Sequence, residues 1–339
     1  MTLRGRTPRV PGLRSYSRRD ALRIGAVTTG AAALSAACGG SGGSGKEIGI
    51  AVGNGISYAA LTVIRAKGWL EQELKGRTIT WRVISGGGTV RDALLSGKLH
   101  IGSSGLGPLL IGWDAGVPWK IVSSLNDMPL WLVAKDPRYR SLRDFGQGDQ
   151  IAAVQPGSIQ SVMLQKAAQQ QLGDPHALDR NIATMAHPEA LQALLGGQIA
   201  AAYTSPPFQF QAVEQGARKL VDSYQLFGRH GFNVMAATEE YAEKNPDVIS
   251  AVHRTIARAN DFITKQPAEA AKILSQAEQG KISAQAYERY LTHEGIEFTT
   301  TPHGILKIAA FMKEIGVIKK VPRDWRDLAF DTVKKENGS

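Results

Sequence analysis

With one cysteine in 339 residues, Cys38, the chain can build neither an intrachain disulfide nor a zinc cluster of thiolates. Histidine is thin as well. The seven histidines form no HExxH pair and no close cluster with carboxylates, which removes the commonest zinc-hydrolase pattern. GxSxG occurs only by composition, at Gly39–Gly43 in a Gly/Ser run with no strand before it, and Gly86, Gly87 and Gly88 lack the GxGxxG spacing of a dinucleotide site. No apolar run reaches the roughly 20 residues that span a bilayer, and no solenoid-type repeat is visible. The net charge of +10 raises the question of nucleic acid, but that charge is concentrated at the amino end. Seven basic residues and one acid precede Cys38, leaving 33 basic against 29 acidic residues beyond it, a balance of +4 with no basic block. That balance argues against a nucleic-acid partner. What remains is an ordinary globular composition, 43% hydrophobic and 21% charged, long enough for two lobes.

Residues 1–37 read as an export signal: Arg18-Arg19 ahead of a short, mildly apolar run of small residues. The paired arginines resemble the twin-arginine type, although Ala21 stands where a large apolar residue is usual. Leu34 to Cys38 resembles a lipobox with its leucine one place early, which makes Cys38 a candidate for lipidation. Simple cleavage after an Ala-x-Ala end is the alternative. Residues 38–46 are a Gly/Ser tether, suited to a domain held beside a membrane.

The rest is organised around Ser85 to Pro108, SGGGTVRDALLSGKLHIGSSGLGP. It predicts a glycine-rich loop, then a helix with Val90, Ala93, Leu94 and Leu95 on one stripe and Arg91 and Asp92 toward solvent. Gly97 ends that helix, Leu99 to Gly102 form a strand, and Ser103, Ser104 and Gly105 make a loop at its carboxyl end. Loops in that place bind small ligands in open α/β sheets. Around it the pattern predicts strands at Lys46–Val52, Ile79–Ile84, Trp119–Ser123 and Pro129–Lys135, and further strands at Ile151–Val154, Ile199–Tyr203 and Phe232–Ala237. Helices are expected at Ala59–Gly68, 107–116 and Ile159–Gln171, and Glu189–Leu195 repeats the plan of the opening stretch. From Asn245 the chain turns helical, with segments at Pro267–Ser275, Ser283–Leu291, Pro302–Ile315 and Pro322–Lys335. Alternation of this kind predicts an α/β protein with a largely parallel sheet.

Ala66-Lys67-Gly68-Trp69-Leu70, the Asp92–Gly102 segment DALLSGKLHIG, and then Gly105, Pro108, Gly116-Val117-Pro118, Gly157-Ser158, Pro207-Phe208 and Asn245-Pro246 occur in a familiar order. They resemble the solute-binding proteins of bacterial ABC importers, in the group with nitrate-, taurine-, alkanesulfonate- and thiamine-pyrimidine-binding members. The resemblance covers roughly residues 47–278. It implies a type II periplasmic-binding-protein fold of two lobes with a ligand cleft between them. Residues 47–128 plus 237–339 would form lobe 1 and residues 129–236 lobe 2, with crossings near Asp127–Lys135 and His230–Ala237. It also implies a monomer working with an ABC permease and its ATPase, with no metal and no cofactor.

On that resemblance the cleft is expected to be lined by Asn54, Ser57, Tyr58 and Gly87. Ser104 and Gly105, then Ser158 and Ser205 from the far lobe, complete the set, with Phe208 in support. Each serine could instead be a helix cap, and Tyr58 and Phe208 could be core residues. Two positions depart from the family pattern, His100 and Ala201, where an aspartate is common. Helix starts after Ser57 and Ser158 favour a sulfonate or related oxyanion. The absence of arginine from these loops keeps a neutral heterocycle open, and Arg91, the nearest, is expected to face solvent. An enzyme of the same fold and a sensor for a receptor kinase are the competing functions. The cysteine-rich chemistry of the enzyme branch has no counterpart here.

Overall fold

The computed structural model describes residues 47–84 and 86–339. The expected export signal, Cys38, the expected tether and Ser85 therefore lie outside the described residues.

Among the described residues, ten strands form the framework. The first four are β1 (Glu47–Val52), β2 (Thr78–Val83), β3 (Gly102–Gly105) and β4 (Trp119–Ser124). They are followed by β5 (Trp131–Ala134), β6 (Ile151–Ala153), β7 (Ile182–Thr184), β8 (Ala201–Thr204), β9 (Arg218–Asp222) and β10 (Asn233–Thr238). One five-stranded sheet has the order β7-β6-β8-β5-β9. The remaining strands form a parallel β1–β2 pair and a β3-β10-β4 sheet, joined where Ala51 N donates to Ile101 O at 2.9 Å. The central strands have apolar middles because both of their faces are covered: β5 is WLVA and β10 is NVMAAT, buried almost end to end.

The expectation of a largely parallel sheet is corrected. β10 runs antiparallel to both β3 and β4, and β5 runs antiparallel to both β8 and β9, so each sheet is mixed. The reason lies in the connectivity. The chain leaves the first sheet after β4 and returns to it only at β10, which inserts between two strands already laid down.

Ser103 and Ser104 are also corrected. They are not a loop beyond the strand but the middle of β3, buried and paired with Met235 and Val234. Gly102, at the start of this strand, has no room for a side chain because the Gly87–Leu95 helix lies directly on it. A Cβ on Gly102 would sit 2.2 Å from Val90 Cγ1. Val90 and Leu94 make this contact, while Leu95 turns outward and is half exposed. Gly97 ends the helix turn at a φ of 69°, where glycine avoids a steric cost of about 1 kcal/mol.

The carboxyl-terminal region is helical as expected from Pro246–Lys265 onward. Val248, Val252, Ile256, Ala259 and Ile263 form the buried face of that helix. The segment from Pro322 is not one helix. Asp324 caps a 3-10 turn at Trp325–Leu328, Ala329 runs extended beside Ile121, and a short helix follows at Asp331–Lys334. The helix expected from Pro302 begins at Ile305, behind Gly304 in the left-handed region. Strands β7 and β9 escaped the pattern because they are short and partly exposed, so they lack an apolar run.

Two crossing segments, 125–130 and 229–232, connect the sheets and pair with each other. Leu125 N donates to Asn233 O at 3.0 Å, and Phe232 N donates to Asn126 O at 3.2 Å. A third stretch joins them, with Asp127 N donating to Glu297 O at 2.8 Å. The buried Asp127 carboxylate holds the three together. Its Oδ2 accepts from Arg229 Nε at 2.6 Å and lies 2.7 Å from His303 Nδ1, and Arg229 also reaches Glu297 at 2.6 Å.

Candidate solute-binding pocket

Where the loops of the two sheets meet, a cavity of about 590 Å³, counted out to its open mouth, lies between them. The part of it that a water-sized sphere can occupy is about 70 Å³, room for a few water-sized groups. From the first lobe it takes Gly53, Asn54 and Tyr58 after β1, Ile84, Gly86 and Gly87 after β2, and Gly105 and Pro108 after β3. From the second lobe it takes Val154, Ser158, Ile159 and Gln160 after β6, and Ala186, His187 and Pro188 after β7. Phe232 and Asn233 come from the returning crossing.

Five of the nine expected residues therefore line it: Asn54, Tyr58, Gly87, Gly105 and Ser158. Ser158 is at once a cap and a lining residue, its Oγ accepting from Ser161 N at 3.3 Å. The other four are not brought to the surface of the cavity. Ser57 is buried behind it, its carbonyl accepting from Asn126 Nδ2 at 2.6 Å and its hydroxyl from Asn233 Nδ2 at 3.1 Å. Ser104 is buried in β3 and donates to Gly105 O at 3.1 Å. Ser205 is fully buried at the end of β8. Phe208 packs under the pocket, its ring stacked on His187 with centroids 5.8 Å apart.

His187, Gln160, Phe232 and Asn233 were missed by sequence reasoning. His187 had a local signal, since Pro188 and Glu189 mark a helix start immediately after it. Asn233 had none, because it reaches the pocket only through the pairing of the crossings. The His187 ring is fully committed. Thr204 Oγ1 lies 2.9 Å from Nδ1, and the Gln160 amide nitrogen, which can only donate, lies 3.2 Å from Nε2. The neutral ring thus carries its proton on Nδ1 and gives it to Thr204. Burial favours that neutral form and lowers the pKa from 6.5 to about 4. Burial likewise raises the Tyr58 hydroxyl to about 12, against an opposing pull from the Ser103 and Asn233 side chains.

No described residue lining the pocket is Asp, Glu, Lys or Arg. Instead, three α-helices have their first residue in its described lining, Gly87–Leu95, Ile159–Leu172 and His187–Leu195, and a fourth, Leu106–Asp114, begins beside Gly105. Helix starts carry unpaired amides and partial positive charge. Arg91, the nearest arginine in sequence, pairs with Asp92 at 2.8 Å. His100 is not a pocket residue. Its Nδ1 accepts from Gly49 N at 2.8 Å and its ring lies on Tyr241, so it serves the β1 backbone and the neighbouring packing. Ala201 is buried in β8. Among the described residues, no group of three His, Cys, Asp or Glu is arranged to hold a metal ion.

Comparison with known proteins places this architecture. Residues 44–277 match the model of the NMT1-like family. A taurine-binding periplasmic protein of Escherichia coli is 27% identical over 269 residues, covering 74% of this chain and 82% of the relative. The periplasmic aliphatic sulphonate binding protein of Escherichia coli is similar in structure, with a TM-score of 0.64 at 21% identity over 84% of this chain and 92% of that one. The periplasmic nitrate-binding protein of Synechocystis has a TM-score of 0.67 at 14% identity, covering 84% and 88% respectively. The two mixed sheets with a cleft between them are thus a periplasmic-binding-protein fold, and the chain belongs to the NMT1-like family.

Proposed function

We propose that this chain is the extracytoplasmic solute-binding component of an ABC importer, capturing a small oxyanion, an alkanesulfonate above all, and delivering it to a membrane permease. The observation that carries the reading is the meeting of three helix starts at a pocket without formal charge. An anion there is held by fixed dipoles and amide donors, each helix start contributing about 0.3–1 kcal/mol. The start at His187 contributes least, because Glu189 Oε2 already approaches Ala186 N at 3.4 Å. The relatives named for taurine, sulphonate and nitrate binding support the same class of solute. They are binding proteins, which sets the chain among transport components rather than enzymes.

Residues 47–128 with 237–339 would move as one lobe and 129–236 as the other, turning about the crossings. Asn54, Tyr58, Gly87, Gly105 and Ser158 would meet the solute from the two sides. Residues 1–37 would direct export, and lipidation of Cys38 would hold the domain at the outer face of the membrane. A second reading, an uncharged heterocycle, draws on the Tyr58, Phe232 and His187 rings at the same pocket.

Thermal-shift measurements on the full chain with ethanesulfonate, nitrate and an aminopyrimidine separate the two. Stabilisation by the anions supports the oxyanion. Stabilisation by the pyrimidine alone moves the assignment to the heterocycle, and turnover of any of them makes the chain an enzyme. Labelled palmitate entering the wild-type protein but not a Cys38→Ala variant would support the anchor.

A further inference from the structure

We infer that the pocket selects oxyanions with an uncharged tail, such as simple alkanesulfonates, over zwitterions that carry an ammonium group as well. This rests on the oxyanion reading above and narrows it by an inventory of charge. The described lining residues include no carboxylate, and Ser85, beside them in sequence, is neutral. An ammonium entering such a site gives up hydration that only a carboxylate or a ring of carbonyl oxygens would replace.

The lining does hold neutral oxygen acceptors on Asn54, Tyr58, Gln160 and Asn233, each weaker toward an ammonium than a carboxylate, and two further polar groups are already engaged. Ser158 Oγ already accepts from Ser161 N, and His187 Nε2 already accepts from the Gln160 amide. The three helix starts present the positive ends of their dipoles, which oppose a cation as they favour an anion. Glu189 is the nearest acid on these loops, but it is exposed, folds back toward its own helix start and is not part of the lining. Among the described lining residues, His187 is the one that could become a cation, and both of its ring nitrogens are engaged in the neutral form.

Ethanesulfonate and taurine differ by a single ammonium group, so calorimetric titration of the full chain with each provides the test. Ethanesulfonate is expected to bind about tenfold tighter or more, equivalent to about 1.4 kcal/mol. Taurine within about threefold of ethanesulfonate, or tighter, overturns the inference and leaves the oxyanion reading intact. Binding of neither of them, nor of nitrate, removes the oxyanion reading and this inference with it.

Asn54→Asp supplies the second arm. Asn54 is exposed at the mouth of the pocket, so the change adds a carboxylate with little disturbance of the core. The variant should narrow the ethanesulfonate preference by about threefold or more. An unchanged ratio with both ligands bound overturns the inventory of charge as its cause.

Discussion

Asn233 lines a pocket with no charged side chain, whereas Asp127, paired through its backbone with Gly231 just upstream, is a fully buried carboxylate held by an arginine and a histidine. Neighbouring parts of the molecule thus treat charge in opposite ways. At the crossings, a fixed ionic cluster ties three chain segments to one geometry, and its charges are matched within the protein. At the pocket, no described lining side chain supplies a countercharge, so helix starts and side-chain dipoles are left to act on whatever enters. A buried ion pair gives limited net stability but is expensive to break, which suits a junction that must keep its register. An uncharged polar cavity costs less to desolvate, which suits a site that fills and empties.

The comparison breaks most sharply at Asp127. Replacing Asp127 with Ala leaves the Arg229 and His303 side chains facing a hole at the meeting of three segments. The expected loss in urea unfolding is about 3 kcal/mol, at the low end for buried pairs because Arg229 is half exposed and keeps Glu297. A loss below about 1 kcal/mol would mean that the carboxylate does not hold the crossings.

His187 comes next, and its effect is visible only in acid. Its folded pKa of about 4 lies below its ordinary 6.5, so between those values the unfolded chain binds a proton that the fold refuses. Stability therefore rises with pH across that window and falls as the pH drops from 6.5 toward 4, by up to about 3 kcal/mol from this residue. In His187→Gln the part of the slope due to His187 should vanish. His100, His230 and His253 are also lowered by burial, but their contributions cancel in the difference between the two proteins. Identical slopes would place the His187 ring in contact with water and return a titratable cation to the pocket.

How far the sequence revealed these regions follows from where their contacts originate. Local chemistry was readable: Gly68 and Gly97 as helix ends, Ser158 as a cap facing the cleft, and the buried face of the Pro246–Lys265 helix. Ser103 and Ser104 misled because their small, polar character reads as loop, while they pair with Met235 and Val234 inside the sheet. Gln160 was the second residue of a predicted helix and gave no sign that it would reach His187. Asn233 and the Asp127 cluster depend on contacts across 100 residues and more, so no periodicity records them. The fold class was legible from spacing and motif order. The distinction between a neutral pocket and an ionic junction was not.

Gly107 tests the approach of the two lobes. A Cβ there would lie 2.7 Å from Gly157 O and 3.0 Å from Ile159 N, all backbone atoms with little freedom to yield. Gly107→Val should weaken ethanesulfonate binding by about tenfold or more while costing about 1–3 kcal/mol of stability through overpacking. Unchanged affinity would show that the lobes can bind solute without coming this close.

The smallest effect is expected at Arg91, and it guards the comparison from the other side. This arginine follows the glycine loop that lines the pocket, so an anion site built on salt bridges would use it. Its guanidinium instead makes two hydrogen bonds with Asp92, an exposed neighbour, at 2.9 and 2.8 Å. An exposed pair of that kind contributes about 0–1 kcal/mol and is screened by salt. Arg91→Ala should therefore leave both stability and ethanesulfonate affinity within about twofold of wild type at low and at physiological ionic strength. An affinity loss that grows as salt is removed would mean that the bound anion feels a formal charge after all, and the contrast between a charged junction and an uncharged pocket would have to be redrawn.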